Sequence, residues 1–351
     1  MQFFHISRII ESDHLLQTHY FMNIAPNKSL KIKHIVTAFI IVMLTMACAT
    51  ITKQKNHALA YITNQGDNTV SVIDTTKNTV IKTIKVGKAP VGVAVSAKLQ
   101  RAYISNVESQ NISVISTQTN TVINTIKVTG SPVGLALSPD SKTLYIADWF
   151  DNRVIAINTQ NSNIVHEVSV GNAAAGLVVS PDNQWLYVAN RDSNDIAAID
   201  TETLTIKKRI PVGKHPFGIA LSVSGKWLAS VNVKDDTVSI INTLTNQQEH
   251  FKVGYHPYCA AFSLDEKTLY VTNTQDDNIT VLDLATQKTI ATIAVGSTPE
   301  GLSIDHASKR AYIANWGSNN VSVISTDTNT LLTTIITGEK SRAFGQFILT
   351  P

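Results

Sequence analysis

The stretch LYVTNTQDDNITVLDLATQKTIATIAVGSTPEG, residues 269–301, decides the fold. Tyr270-Val271-Thr272-Asn273 is an alternating run that ends in a polar turn. A second run, ITVLD, follows, then a third, TIATIAVG, and a bend at Pro299 leads into a fourth. The unit recurs with its leading position at Tyr61, Tyr103, Tyr145, Tyr187, Ala229, Tyr270 and Tyr312, at intervals of 42, 42, 42, 42, 41 and 42 residues. A fixed period in this range is the signature of stacked or radially arranged structural repeats.

Each unit reads as three strands and the start of a fourth. In the first, AYITN (60–64), TVSVID (69–74) and TVIKTIKV (79–86) are separated by QGDN and TTKN, and VGKAP turns the chain into VGVAVS (91–96). AYITN alternates, which predicts a half-buried strand. Asn, Asp, Gly and Thr in the turns supply local hydrogen bonds and tolerate unusual backbone angles. No stretch after residue 58 has helical periodicity. The pattern predicts an all-β fold: a seven-bladed β-propeller of about 42-residue, four-stranded repeats over residues 58–351. A β-helix needs a shorter period, and a sandwich would not hold this one. The segment AFGQFIL (343–349) matches the innermost strand of other units. The C-terminal strand is therefore expected to close the ring by joining the N-terminal blade, which removes the open edge.

The copies read YITN, YISN, YIAD, YVAN, SVN, YVTN and YIAN, each with a VSVID-type strand and a VGxxPxG-type bend. In this the chain resembles the YVTN-repeat β-propellers of bacterial periplasmic and archaeal surface-layer proteins, over about residues 58–351. The resemblance implies the fold and an extracytoplasmic setting. It implies no single function, because such propellers include binding proteins, surface proteins and electron-transfer relatives.

The N-terminus fits export. Three lysines in KSLKIKH (28–34) precede the apolar run IVTAFIIVMLTMA (35–47), which is short for a membrane span. Residues 1–47 read as a signal region, 48–57 as a linker, and Met22 as an alternative start that gives a signal of ordinary length. Ala47-Cys48-Ala49 fits a signal-peptidase site, while Leu44-Thr45-Met46-Ala47-Cys48 resembles a lipobox that would lipidate Cys48 and tether the protein to a membrane. Both readings stand. The expected location is periplasmic or cell-surface. The formal charge is +3; the signal region holds four cations and two anions, so the remainder carries +1. A near-neutral domain gives no electrostatic case for nucleic acid as the partner, and a monomer is expected.

In a repeat protein, departures from the consensus carry the information. The position after the proline of the bend is Val91, Val133, Ala175, Phe217, Tyr258, Glu300 and Arg342. The position before it includes His215, His256 and Lys340. The next position is small throughout, Gly92 to Ala343, as a close approach of backbones at the axis requires, so Cys259 there reads as a packed substitute for glycine. Loops on the same face add Asp148, Trp149, Phe150, Arg191 and Trp316. One side of this mouth is thus differentiated. His215, Phe217, His256, Tyr258, Glu300, Arg342, Trp149, Arg191 and Trp316 form the candidate ligand-binding set, for a small molecule or a protein partner. Trp149, Trp316, Arg191 and Arg342 are also of the types that stack nucleic-acid bases, against the unhelpful net charge.

Catalysis has less support in the residues. His215, His256 and Glu300 are types that ligate metals or act as general bases, as at the channel mouths of virginiamycin B lyase-like and lactonase-type propellers. No H-x-H, C-x-x-C, GxSxG, phosphate loop, dinucleotide fingerprint or CxxCH haem site accompanies them. No cofactor and no catalytic residue is assigned. The expectation is an exported, non-catalytic binding propeller. The alternatives are a metal-assisted hydrolase or lyase at the same mouth, and a structural or adhesive surface protein.

Overall fold

The computed structural model describes residues 58–350. The signal region 1–47, Met22, Cys48 and the 48–57 linker lie outside the described residues. The described chain is a seven-bladed β-propeller of four-stranded antiparallel blades. The second blade, for example, runs Pro90–Ser96, Arg101–Asn106, Asn111–Ser116 and Thr121–Lys127 from axis to rim. Blades 3 to 7 repeat this, beginning with the inner strands Pro132–Leu137, Ala174–Val179, Pro216–Leu221, Pro257–Phe262 and Pro299–Asp305. Among the described residues the only helical turn is Arg191–Ser193, within one loop.

Blade 1 holds the closure. Its second to fourth strands are Leu59–Asn64, Thr69–Asp74 and Thr79–Lys85, and its inner strand is Ile348–Leu349, antiparallel to Leu59–Asn64. Immediately before it, Phe344–Gln346 pairs in parallel with Pro90–Ser96 of blade 2. The chain end therefore stitches two blades rather than one.

Alternation in the leading run does not give a half-buried strand. Leu59–Asn64 is buried from Ala60 onward, and its counterparts show the same pattern. Both faces of each blade pack against a neighbouring blade, so inward- and outward-facing residues are covered alike. The rim strands behave differently. Thr79–Lys85 is mostly exposed and buries Ile84, as Ile126, Ile293 and Ile335 are buried in other blades.

Two polar devices recur. The Asn closing the leading strand in every blade but the third is buried and bonds within its own blade: Asn273 Nδ2 donates to Asn278 Oδ1 at 2.7 Å and Thr280 Oγ1 at 2.8 Å. The leading tyrosine reaches the rim turn of the next blade. Tyr61 donates to Asn120 Oδ1 at 2.9 Å, Tyr270 to Asn329 Oδ1 at 3.1 Å, and Tyr312 to Asn78 Oδ1 at 2.9 Å across the closure. The accepting asparagines sit at φ 52°, 51° and 53° (Asn78, Asn120, Asn329), the left-handed region that asparagine tolerates.

At the axis, the small position has the cause expected of it. A Cβ on Gly134 would run into the carbonyl oxygen of Ala175 in the next inner strand. Seven backbones converge too closely there for ordinary side chains to face one another.

Candidate functional site

The bends and the loops between second and third strands share one face, since Pro90 pairs with Asn106 and the same register holds in the other blades. Six of the seven bends turn on a residue at positive φ just before the proline position, among them His215 at 53°, His256 at 56°, Thr298 at 53° and Lys340 at 56°; in the bend before Pro132 it is Gly130, one residue earlier, at 94°. Loop carboxylates and amides hold the bends from behind. His215 N donates to Asn194 Oδ1 at 2.9 Å and His256 N to Asp236 Oδ1 at 2.9 Å. This accounts for most of the acidic turns without a ligand. The residue after the proline is then delivered to the axis.

Four of those residues meet there. Phe217, Tyr258 and Glu300 are buried, and Phe217 packs on Tyr258 with ring centroids 4.5 Å apart. Phe344 joins them at 5.0 Å from Phe217 and 5.9 Å from Tyr258, and Trp149 lies 5.8 Å from Phe217. Offset and edge contacts of this kind add about 0.5–1.5 kcal/mol each beyond the area they bury. Arg342 donates from Nη2 to the Tyr258 hydroxyl at 2.5 Å and from Nη1 to Gln65 Oε1 at 3.3 Å. Its Nε lies 2.6 Å from Glu300 Oε2, but that oxygen accepts no hydrogen bond, so the contact is ionic and off the N–H direction. Burial raises the Glu300 carboxyl above its ordinary value, against the opposing pull of Arg342. Burial likewise pushes up the Tyr258 hydroxyl and the Cys259 thiol, so Cys259 is a packed, protonated thiol.

The three small residues of the ring complete the picture. Val91, Ala175, Phe217, Tyr258 and Phe344 belong to one apolar cluster, with Val133 and Trp149 against it. Large side chains from blades 5 to 7 and the C-terminal segment fill the space that Val91, Val133 and Ala175 leave. Together they form a stopper across this end of the channel.

The remaining candidates lie around the stopper. Arg191 sits over the Trp149 ring at 5.7 Å, and Lys340 over Trp316 at 5.2 Å, with Trp316 Nε1 donating to Gln65 Oε1 at 3.1 Å. His256 is exposed, with Nδ1 2.9 Å from Thr274 Oγ1. His215 is half-buried, its pKa lowered by burial and then by Arg191. Among the described residues no three His, Cys, Asp or Glu side chains form a group able to hold a metal ion. Phe150 points outward, 74% exposed. Asp148 is not at the mouth surface. It is fully buried, accepting from Ser131 N at 2.8 Å and Arg153 Nε at 3.0 Å, in the place other blades give to asparagine.

Below the stopper lies a cavity of about 320 Å³. Its walls are the inner strands beyond the glycine position, including Leu135, Leu177, Ile219, Leu221 and Leu302, and Phe344 and Cys259 stand at its closed end. His306, half-buried, and Gln346, exposed, line the other end, so the cavity opens on the face opposite the candidate set. Sequence reasoning missed Phe344, Gln65, His306 and Gln346. A signal for two of them was available. Four residues beyond the mouth position stand Val95, Leu137, Val179, Leu221, Phe262, Ile304 and Gln346, a ring with one polar member. Two residues further along, His306 falls where blades 3 and 4 have Pro139 and Pro181.

A family model described as Lactonase, 7-bladed beta-propeller matches residues 136–262. No match to a curated protein is found. Solved structures similar to the chain include the hydrazine synthase of Kuenenia stuttgartiensis, at 23% identity and TM-score 0.70 over 76% of this chain and 92% of that one. A functionally unknown protein from Desulfotomaculum acetoxidans matches at 13% identity and TM-score 0.72, over 83% and 98% of the two chains. The dihydro-heme d1 dehydrogenase NirN in complex with DHE matches at 14% identity and TM-score 0.62, over 79% of this chain and 63% of that one. At these identities the likeness is one of fold, and propellers host many chemistries.

Proposed function

We propose that the protein is an exported, non-catalytic binding propeller whose ligand seat is the channel, entered from the face opposite the stopper. One observation carries this reading: the channel is closed at one end by interlocked side chains and leaves a cavity of about 320 Å³ behind them, open to the opposite face. That volume is at the lower end of the range of small-molecule sites, about 300–1,000 Å³. In this reading Phe217, Tyr258, Glu300 and Arg342 act on the ligand indirectly, by holding the closed end. Trp149, Arg191, Trp316, His215 and His256 form the outer surface of that end, free to meet a protein partner. A lipid on Cys48 would tether the protein in the envelope.

The test uses the neutral fluorescent probe N-phenyl-1-naphthylamine. The expected result is brightening with the wild type and loss of brightening in Leu221→Trp, whose indole would fill the open end, at an unchanged circular-dichroism spectrum. A wild type that leaves the probe dark overturns the reading. So does equal brightening in the variant.

The family-model match over residues 136–262 favours a second reading, a hydrolase or lyase on the stoppered face. His215, His256 and Glu300 would have to act together there, and Glu300 is taken by Arg342. Turnover of simple lactones and esters that falls in both His215→Ala and His256→Ala would establish it.

A further inference from the structure

The open face carries an apolar sector beside the channel mouth. Val223, Leu244 and Leu264 stand in its turns, all on blades 5 and 6, and are 54%, 84% and 59% exposed. Among the described residues they are the large aliphatic side chains exposed in turns of this face. Contacts between the turns make them one surface. Thr243 Oγ1 donates to the Gly225 carbonyl at 2.8 Å, and Ser224 Oγ donates to Glu266 Oε2 at 2.8 Å. Pro181 of blade 4 is exposed beside them, 3.0 Å from where a Cβ on Gly225 would lie. Trp185 and Trp227, half-buried, open their strands at this face, and the Lys226 ammonium sits 4.8 Å over the Trp227 ring. The stoppered face exposes Phe150 and Tyr255, but on blades 3 and 6, with two blades between them.

The chain also enters the propeller at the open face. Leu59 pairs with Asp74 and Leu349 there, and the Ala58 carbonyl accepts from Thr75 Oγ1 at 2.9 Å. Residues 48–57 separate Ala58 from the apolar run 35–47. A linker of that length reaches at most about 36 Å. To present the stoppered face to a membrane it would first have to run the height of the propeller, about 20 Å for a six-residue strand, and round its rim. The open face needs no such detour. This face is not basic: Lys226 and Lys267 alternate with Asp182, Asp265 and Glu266. It therefore does not select an anionic surface, while aliphatics with tryptophan beside lysine suit the boundary between lipid headgroups and acyl chains. Resting on the membrane tether proposed above, we infer that the open face of blades 4 to 6 docks on a zwitterionic lipid surface. Val223, Leu244 and Leu264 enter the headgroup boundary, the channel opens toward the lipid, and the stopper points away from it.

The four tryptophans split evenly between the faces, so quenching by brominated lipid reads the orientation. The full chain is bound to phosphatidylcholine vesicles brominated high in the acyl chain. Trp149→Phe/Trp316→Phe keeps the open-face pair and should be quenched; Trp185→Phe/Trp227→Phe keeps the stoppered-face pair and should not. Adding Val223→Asp and Leu264→Asp to the first variant should cut its quenching about twofold or more while it still sediments with the vesicles. Replacing part of the phosphatidylcholine with phosphatidylglycerol should not deepen the quenching. Equal quenching of the two pairs, stronger quenching of the stoppered-face pair, or no quenching of either in a chain that sediments overturns the docking and leaves the tether standing. Quenching unmoved by the two aspartates, or seen only with phosphatidylglycerol, overturns the role of the apolar sector. A chain that stays in the supernatant removes the tether, and this inference with it. The channel seat is read separately, by the fluorescent probe above.

Discussion

The two ends of the channel are built from the same seven inner strands, yet one is shut and the other open. At the shut end, Phe217, Tyr258, Glu300 and Arg342 come from consecutive positions around the ring and meet Val91, Val133 and Ala175 from the other side. At the open end, Val95, Leu137, Val179, Leu221 and Ile304 line the wall without crossing the axis. The inner-strand ladder slips register just after the proline position at the shut end and runs regularly toward the open one. The contrast shows that a few large side chains, opposed by a few small ones, turn a tube into a cup. A ring of seven equal valines would leave the axis unfilled, and a ring of seven phenylalanines would not fit, because interiors pack to near-crystalline density.

The harshest way to break the comparison is to remove the segment that serves both ends. Residues 343–351 contribute Phe344 to the stopper, Gln346 to the entrance and Ile348–Leu349 to blade 1. Their deletion should abolish the cooperative melt of the ring. A truncated chain that melts at the wild-type temperature would show that the ring does not depend on this closure.

The next experiment sharpens the account of the shut end. Arg342→Ala leaves the Glu300 carboxylate buried without its counter-charge, at an expected loss of about 3–5 kcal/mol. Replacing both partners with apolar residues, Glu300→Leu with Arg342→Met, should restore most of that loss. Urea midpoints measure both. A single variant no weaker than the double would mean that the ion pair is solvated after all.

A smaller effect belongs to the turns around the open face. Tyr312→Phe removes the hydroxyl bonds to Asn78 and to the Thr75 carbonyl and should cost about 1 kcal/mol. Tyr103→Phe should cost less, because the Tyr103 hydroxyl lies near Arg101 and makes no bond to a turn asparagine. Equal losses in the two variants would show that the ring contacts, and not the hydroxyls, hold the blades together.

The smallest effect is electrostatic, and its sign differs between the ends. On the open face, Asp74, Asp140 and Asp265 are held below the ordinary 3.8 by hydrogen bonds from neighbouring backbone and side-chain groups, with desolvation opposing and largest at Asp74. Their contribution is present above that value and is lost as the pH falls below it. Glu300 is raised above 4.5 by burial, so the native chain takes up its proton first, and stability gains as the pH falls through the raised value toward 4.5. Denaturant midpoints against pH should therefore carry a slight rise from Glu300 on acidification, set against losses below 6.5 from His215 and His306 and below 3.8 from the aspartates. Glu300→Gln should lose the rise and keep the fall. A rise that persists in Glu300→Gln would assign it to another group.

The period made the fold legible, down to the closing strand, because every copy repeats the same turn and strand chemistry. Burial was less legible. Alternation in AYITN reads as one solvated face, but the second face is covered by another copy of the same sequence, which no single copy reveals. At the mouth, the departures at Phe217, Tyr258, Glu300 and Arg342 were visible as departures. What they meet was not visible, because Gln65 lies 277 residues along the chain from Arg342, and Phe344, 127 residues from Phe217, is brought in by the ring closure. The open end was legible in principle through Gln346 and His306, which break their rings as Glu300 breaks its own.

The closing strand also sets an order of events in time. Ile348–Leu349 is synthesised after every other strand of the propeller, and Leu59–Asn64 is the first of them. Until residues 344–349 emerge, Leu59–Asn64 keeps an unpaired edge and the stopper lacks Phe344. The ring can therefore latch only after all seven blades have been made, and the cup acquires its base at the same moment. A latch made last of all the strands is a contact between residues far apart in the chain, which is slow to form and leaves the ring open until it does.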